Sequence, residues 1–224
     1  MKIGVAVPCY IGHITRLYEL LDSIECQTLL PNKVVVSCSS TSEFFLQKSY
    51  SFPLEIIITL EKKNAAQNRN TAAAKLSDMN YISFIDADDV MHRQRIEFIA
   101  NTIKDNNGDI ILHNYFMQDI NCDIKSMKLY DTLHMKVNTL TQCYSGCIRH
   151  VDFHNNTHNK IHHSQVTVKT SVMEKVIFPE EEIYKRREDC IFCHRVFALP
   201  NITNVYIENK LSYYSPSGTM QGFS

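Results

Sequence analysis

The sequence predicts an α/β fold, a mostly parallel central sheet with helices on both faces. Three observations carry this expectation. Short apolar runs alternate with helix-spaced apolar stripes from residue 3 to about residue 117. The runs are continuous rather than alternating, as strands covered on both faces require. The chain has 224 residues, 44% of them hydrophobic and 21% charged, which suffices for one sizeable core and excludes a largely disordered chain.

The first strand is Ile3-Gly4-Val5-Ala6-Val7-Pro8. From residue 14 to 27, Ile14, Leu17, Tyr18, Leu21 and Ile24 recur at steps of three and four, giving a helix one apolar stripe. Leu29-Leu30-Pro31-Asn32 is a turn, Val34-Val35-Val36 a second buried strand, and Ser37-Cys38-Ser39-Ser40 the polar loop after it. Residues 55–60 form a third strand, and the Ala-rich segment 64–77 a helix. Residues 81–85 form a fourth strand, which stops abruptly at Asp86-Ala87-Asp88-Asp89. The next helix carries Ile96, Ile99, Ala100 and Ile103 on one face, and Asp105-Asn106-Asn107-Gly108 ends it. A further strand precedes residue 117. Beyond it the pattern weakens through a polar stretch at 118–163 rich in His and Asn, then resumes as a strand-like segment at 164–169 and a helix at about 188–198. Strands alternating with helices imply the parallel sheet. No repeat or linker interrupts the chain. One domain over 1–224 is expected, with a regular half (1–117) and an irregular half (118–224).

Several function classes are excluded by composition. A formal net charge of −1 provides no general attraction for nucleic acid or anionic membrane. No apolar run approaches the roughly 18 residues of a spanning helix. Lys2 and the apolar residues after it could mimic a secretion signal, but Pro8 and His13 break the stretch and no small-residue cleavage site follows. A cytosolic location is therefore expected, and the eight cysteines are expected to be reduced. Cys9, Cys26 and Cys38 fit small core positions. Cys143 with Cys147, and Cys190 with Cys193, have spacings near those of a four-cysteine zinc site. Cys190 and Cys193 lie on an amphipathic helix with Ile191 and Val196, however, which favours buried thiols. His150, His154, His158 and His162 fall at steps of four, which on a helix would line one face. The residues between them are poor helix formers, so an exposed loop is favoured, with His163 a candidate contact to metal or acceptor.

In open α/β sheets ligands bind beyond the carboxyl ends of the strands. Pro8-Cys9-Tyr10, Ser37-Cys38-Ser39 and Asp86 to Asp89 gather there. On an extended chain Asp86 and Asp88 share a face, and Asp89 is placed to cap the following helix. Crowded carboxylates repel unless a cation lies between them, and an all-oxygen ligand set favours Mg2+ or Mn2+. An Asp-rich turn without metal is the alternative.

Five elements in order resemble the inverting nucleotide-sugar glycosyltransferases of family 2, which have the GT-A fold. They are Val7-Pro8-Cys9-Tyr10 in the opening strand and its loop, the helix through Leu21-Asp22-Ser23-Ile24 to Gln27-Thr28, Arg69-Asn70, Asp86-Ala87-Asp88-Asp89, and Glu188-Asp189 followed by Arg195. The resemblance spans residues 3 to about 214. It implies a Rossmann-like GT-A domain and a donor, a nucleoside diphosphate-sugar, bound by Pro8, Tyr10, Ser37, Arg69, Asp86, Ala87, Asp88 and Glu188. It further implies Mn2+ or Mg2+ held by Asp86 and Asp88 and bridging the diphosphate, and Asp189 as general base toward a hydroxyl of a glycan or glycoconjugate acceptor. Residues 1–117 would hold the donor and 118–224 the acceptor. The family usually carries an Asp after the second strand that recognises the base. Here Val36-Ser37-Cys38-Ser39-Ser40 contains no acid, although Ser hydroxyls and backbone groups can bond uracil, and UDP is the expected nucleotide. Three alternatives stand beside this expectation: a non-catalytic nucleotide- or carbohydrate-binding module on the same fold, a zinc-dependent interaction protein built on the Cys pairs, and a nucleotidyltransferase.

Overall fold

A computed structural model describes residues 1–42, 48–118, 120, 123–142, 148–150 and 161–214. Its regular half contains β1 (Ile3–Tyr10), α1 (Ile14–Glu25), β2 (Lys33–Ser39), β3 (Leu54–Ile58), α2 (Ala65–Ala74), β4 (Tyr81–Phe84), β5 (Val90–Met91), α3 (Arg95–Asn106) and β6 (Ile110–Phe116). Short strands β7 (Met135–Val137), β8 (Leu140–Gln142) and β9 (Ile148–His150) follow, then β10 (Thr167–Lys169), α4 (Thr170–Met173), α5 (Glu188–Phe197) and β11 (Asn204–Tyr213).

The main sheet has the order β3-β2-β1-β4-β10-β6-β11-β5, with β7 added on β11. Strands β3, β2, β1 and β4 are parallel neighbours, and β6 is parallel to β11. Because β10 runs antiparallel to both β4 and β6, those two strands share a direction. These six strands therefore point the same way, as the α/β alternation predicts.

Two layers of helices cover the sheet. On one face, Leu17, Leu20, Leu21 and Ile24 of α1 and Ile96, Ile99 and Ile103 of α3 pack against Val5, Val7, Val34 and Val36. On the other, Ala66, Ala72 and Ala73 of α2 and Phe192, Cys193 and Val196 of α5 pack against Ala6, Val35, Ile82 and Phe84. Close packing leaves no room at Gly4, where a Cβ would come within 2.8 Å of both Leu76 Cδ2 and Met79 Cγ. Among the described residues, no helix is long and apolar enough to cross a membrane.

Three local expectations change. The polar run at Ser37–Ser39 is not a loop but the end of β2, in parallel register with Pro8, Cys9 and Tyr10. Pairing with β1 on one side and β3 on the other satisfies its backbone, so polar side chains do not end the strand. Asp89 does not cap α3, because β5 intervenes and the residue before the helix is Gln94. Cys26 is half-buried, whereas Cys9, Cys38 and Cys193 are buried. The helix stops themselves follow the sequence: Asn64 and Gln67 form a reciprocal capping box on α2, and Asn107 ends α3 with φ 50.

α5 is anchored by aromatic stacking. Phe192 is fully buried, with its ring 4.0 Å from Phe178 and nearly parallel to it. Truncation to Ala at such a site removes apolar contacts and leaves a cavity. Phe192→Ala is expected to destabilise the domain by about 3–5 kcal/mol in urea unfolding. A loss under about 1 kcal/mol would show that this stack does not anchor α5.

Candidate functional site

Strands β1, β2 and β4 end along one edge of the sheet, and α2 lies across these ends. Asn68 of α2 ties two of them together. Its Nδ2 donates to the Cys9 carbonyl at 3.2 Å and to Ser39 Oγ at 2.9 Å, and its Oδ1 accepts from Ser37 Oγ at 2.9 Å. The next residue, Arg69, reaches the third strand end. Its Nη2 donates to Asp86 Oδ1 at 2.7 Å and its Nη1 to Glu188 Oε1 at 2.9 Å, while the guanidinium lies 5.3 Å from the Phe178 ring. The Arg69 side chain is only 4% exposed, so both ion pairs are shielded from water. Burial disfavours its charge, but Asp86 and Glu188 outweigh that cost and hold it protonated. Asp86 is likewise opposed by burial, yet Arg69 keeps its carboxyl below the ordinary value.

Asp88 differs. It is buried, and burial together with the charge of Asp86 raises its carboxyl above the ordinary value. His13 Nε2 lies 3.8 Å from Asp88 Oδ2, and the His13 ring packs on Tyr10 with centroids 4.2 Å apart. A carboxylate pushed up by a like-charged neighbour is what a cation would relieve. Among the described residues, no three His, Cys, Asp or Glu side chains converge closely enough to hold a metal ion alone. The donor set, two carboxylates at one strand end, fits Mg2+ or Mn2+ whose other ligands are water or diphosphate oxygens.

From the other half, α5 presents Glu188 and Asp189 in its first turn. Glu188 is taken by Arg69. Asp189 Oδ1 accepts from the Cys190 N–H at 2.7 Å. Burial raises the Asp189 carboxyl above its ordinary value, with Arg69 opposing, so the helix N-terminus does not cancel the cost of desolvation. Just before α5, Arg186 has φ 66, a left-handed conformation that a non-glycine residue adopts at a cost of order 1–3 kcal/mol.

The structure gathers Tyr10, Arg69, Asp86, Asp88, Glu188 and Asp189 at this edge. Pro8, Ser37 and Ala87 lie beneath it as buried frame residues. His162 is not on an exposed face, as the spacing of histidines suggested. Its ring sits between Tyr115 and Tyr214, 4.8 Å from each, and Nδ1 pairs with Ser164 Oγ at 2.8 Å. Burial pulls it down to about 4, so it is neutral near pH 7 even with Asp86 nearby. His163, the histidine singled out from the sequence, instead accepts the Ile148 N–H at Nε2 and belongs to the backbone framework. The side chains of His150, His154 and His158 lie outside the described residues, as do Cys143 and Cys147. Cys193 is buried, with its thiol directed at the His163 carbonyl 3.8 Å away. Asn68, His13 and His162 were not singled out for these roles by sequence reasoning. Only Asn68 had a local signal, its place beside Arg69.

A family model described as "Glycosyl transferase family 2" matches residues 4–157. The chain is 32% identical over 119 residues to a Streptococcus pneumoniae serotype 4 protein, "Glycosyltransferase GlyA", covering 51% of this chain and 17% of that one. It is 40% identical over 52 residues to "Poly(ribitol-phosphate) beta-N-acetylglucosaminyltransferase TarP" of Staphylococcus aureus (strain N315), covering 23% of this chain and 16% of that one. The fold is similar to that of S. aureus TarS 1-349 in complex with UDP, with a TM-score of 0.67 at 20% identity over 96% of this chain and 60% of that one. A TarS 1-349 complex with UDP-GlcNAc also gives a TM-score of 0.67, at 19% identity over 96% of this chain and 58% of that one. The chain thus spans less than a fifth of these two curated relatives.

The raised Asp189 carboxyl has a consequence for stability. Its native value lies above its unfolded value, so ionisation penalises the folded state as pH rises through the native value. Below the ordinary carboxyl value, about 3.9, the penalty vanishes. Asp189→Asn is therefore expected to be at least as stable as the wild type at pH 7, with any advantage fading toward pH 4. Urea unfolding at several pH values measures this. A variant clearly less stable at pH 7 would refute a desolvation-dominated Asp189.

Proposed function

This chain belongs to glycosyl transferase family 2, and on that premise we propose that it transfers a sugar from a UDP-sugar to a hydroxyl of a glycan or glycoconjugate, with inversion at the anomeric carbon. The observation that carries the proposal is the division of labour between adjacent carboxylates. Arg69 bonds Asp86 and Glu188, which aligns the strand end with α5, and it leaves Asp189 without a direct guanidinium bond among the described residues. A general base must be able to take up the substrate proton; Glu188 is held in an ion pair with the Arg69 guanidinium, whereas Asp189 accepts from the neutral Cys190 N–H and has its carboxyl raised by burial.

In this mechanism the nucleotide lies over the ends of β1 and β2, beside Tyr10, with Asn68 and the buried Pro8 and Ser37 keeping those ends in place. The diphosphate faces Asp86, Ala87 and Asp88. Asp86 and Asp88 would hold a divalent metal, Mn2+ or Mg2+, which neutralises the charge that develops on the departing diphosphate. Asp189 removes the proton from the acceptor hydroxyl. The oxygen forms its bond to the anomeric carbon on the side opposite the diphosphate, and the bond to the phosphate oxygen breaks, releasing UDP. Residues 1–117 serve the donor and 118–224 the acceptor. The UDP and UDP-GlcNAc complexes of the TarS chain support a uridine nucleotide and make UDP-GlcNAc the first donor to test.

Two variants test these roles. Asp88→Ala is expected to keep the fold and lose the Mn2+-dependent rise in melting temperature caused by UDP, because ligand stabilisation follows binding. Undiminished metal-dependent stabilisation would remove Asp88 from the site. Asp189→Asn is expected to bind donor near-normally while transfer falls by roughly 10²–10⁴-fold, the usual contribution of a general base. Full activity in Asp189→Asn with loss in Glu188→Gln would shift the base by one residue.

A further inference from the structure

Arg95 opens α3 and is fully buried, the largest side chain so enclosed among the described residues. Its Nη2 donates to Phe84 O at 2.7 Å, Gln165 O at 3.1 Å and Ser83 Oγ at 3.2 Å. Phe84 ends β4, two residues before Asp86. Gln165 closes the turn that carries His162 and Ser164, which pair with each other at 2.8 Å, and both lie near enough to Asp86 to help keep its carboxyl down. The Gln165 side chain is buried too, and its Nε2 donates to Asp89 Oδ2. Asp89, the third acid of the motif, is 1% exposed and supplies the negative charge that Arg95 faces. Arg95, Gln165 and Asp89 thus join two segments 76 residues apart in sequence, one carrying Asp86 and the other lying near enough to influence its carboxyl.

This is a poor arrangement if stability were its only purpose. Arg95 Nε and Nη1 and Gln165 Oε1 have no hydrogen-bond partner among the described residues. Burying a charge is costly, and well-packed apolar side chains often replace buried ion pairs without loss. A charged side chain whose bonds reach strand β4 and the 162–165 turn gains something that packing alone does not, a fixed separation between two segments.

We infer that Arg95 is a positioning residue for the proposed transfer: with Gln165 and Asp89 it sets the distance between the Asp86–Asp89 loop and the His162–Gln165 turn, and so the shape of the pocket for the metal and diphosphate. The inference rests on the transferase reading for its consequence but not for its geometry. Groups that hold metal ligands in place typically change metal affinity or activity by about 10–100-fold when removed.

The experiment compares Arg95→Met, Arg95→Lys and Gln165→Ala with the wild type. Gln165→Ala keeps the backbone carbonyl that Arg95 bonds and cuts only the link to Asp89, so it remains informative if Arg95→Met fails to fold. Three quantities are measured: amide hydrogen exchange along the chain, Mn2+ affinity with UDP by electron paramagnetic resonance, and kcat with acceptor KM. Gln165→Ala is expected to lose about tenfold in Mn2+ affinity, and Arg95→Met about 10–100-fold, largely restored in Arg95→Lys. kcat should fall with acceptor KM unchanged, and excess Mn2+ should recover part of it. Faster exchange should be confined to residues 84–92 and 162–166. Wild-type exchange in both segments of Gln165→Ala, or changes spread evenly over the domain and not reversed by Arg95→Lys, would overturn the inference. If the wild type itself shows no Mn2+-dependent UDP binding, the transferase reading fails, and the exchange pattern alone decides whether Arg95 sets the two segments.

Discussion

Arg69, enclosed between Asp86 and Glu188, is the contact on which the site depends. It comes from α2 and pairs with one carboxylate from the regular half and one from the irregular half, the latter 119 residues further along the chain. Among the described residues, no backbone hydrogen bond joins the end of β4 to the start of α5; the guanidinium does. Because a buried charge left without its partner costs about 3–5 kcal/mol, the two halves cannot shift apart here cheaply. The Phe178 ring beneath the guanidinium adds a flat apolar seat, and Phe178 in turn stacks on Phe192 of α5. The same aromatic stack therefore supports both ends of the ion-pair bridge.

The sheet supplies what the bridge needs. Parallel strands β1 and β2 end level, with Tyr10 opposite Ser39, while β4 stops at Phe84, opposite Ala6, so the Asp86–Asp89 loop leaves the sheet beside the last residues of β1. α2 can press its small residues onto that sheet because Ala66, Ala72 and Ala73 leave the helix thin on its inner face. That closeness brings Asn68 within reach of Cys9, Ser37 and Ser39, and swings Arg69 over the end of β4. A bulkier face on α2 would hold the helix too far out for either contact. The apolar core and the polar site are in this sense one packing solution.

What could be seen in the sequence was whatever is written in adjacent residues. Asp86 and Asp88 stand out after an apolar strand, Glu188 and Asp189 open an amphipathic helix, and Arg69 sits in a helix-forming run; all of them meet in space. The roles that were missed depend on partners distant in the chain. His162 is placed by Tyr115 and Tyr214, and only folding brings those three rings together. Its spacing with other histidines suggested an exposed surface because periodicity carries no information about such neighbours. Asp89 looked like a helix cap, since a carboxylate followed by a helix usually is one; β5 and a buried Arg95 give it a different partner. The polarity of Ser37 to Ser39 suggests a loop, but Asn68 satisfies both hydroxyls inside the sheet.

Glu188 and Asp189 show how environment separates two like groups. Successive residues on a helix point about 100° apart, so one guanidinium cannot engage both equally. The geometry gives Arg69 to Glu188, and burial does the rest for Asp189, whose carboxyl rises while that of Asp86, on the other arm of the bridge, falls. Pairs of carboxylates whose environments push their proton affinities apart are how one site assigns distinct acid–base roles to chemically similar side chains. Here the assignment is structural before it is chemical. Asp86 and Glu188 hold the two halves of the domain together through Arg69. Asp189, which that ion-pair bridge does not engage directly, is fixed by the same helix and has its carboxyl raised by burial.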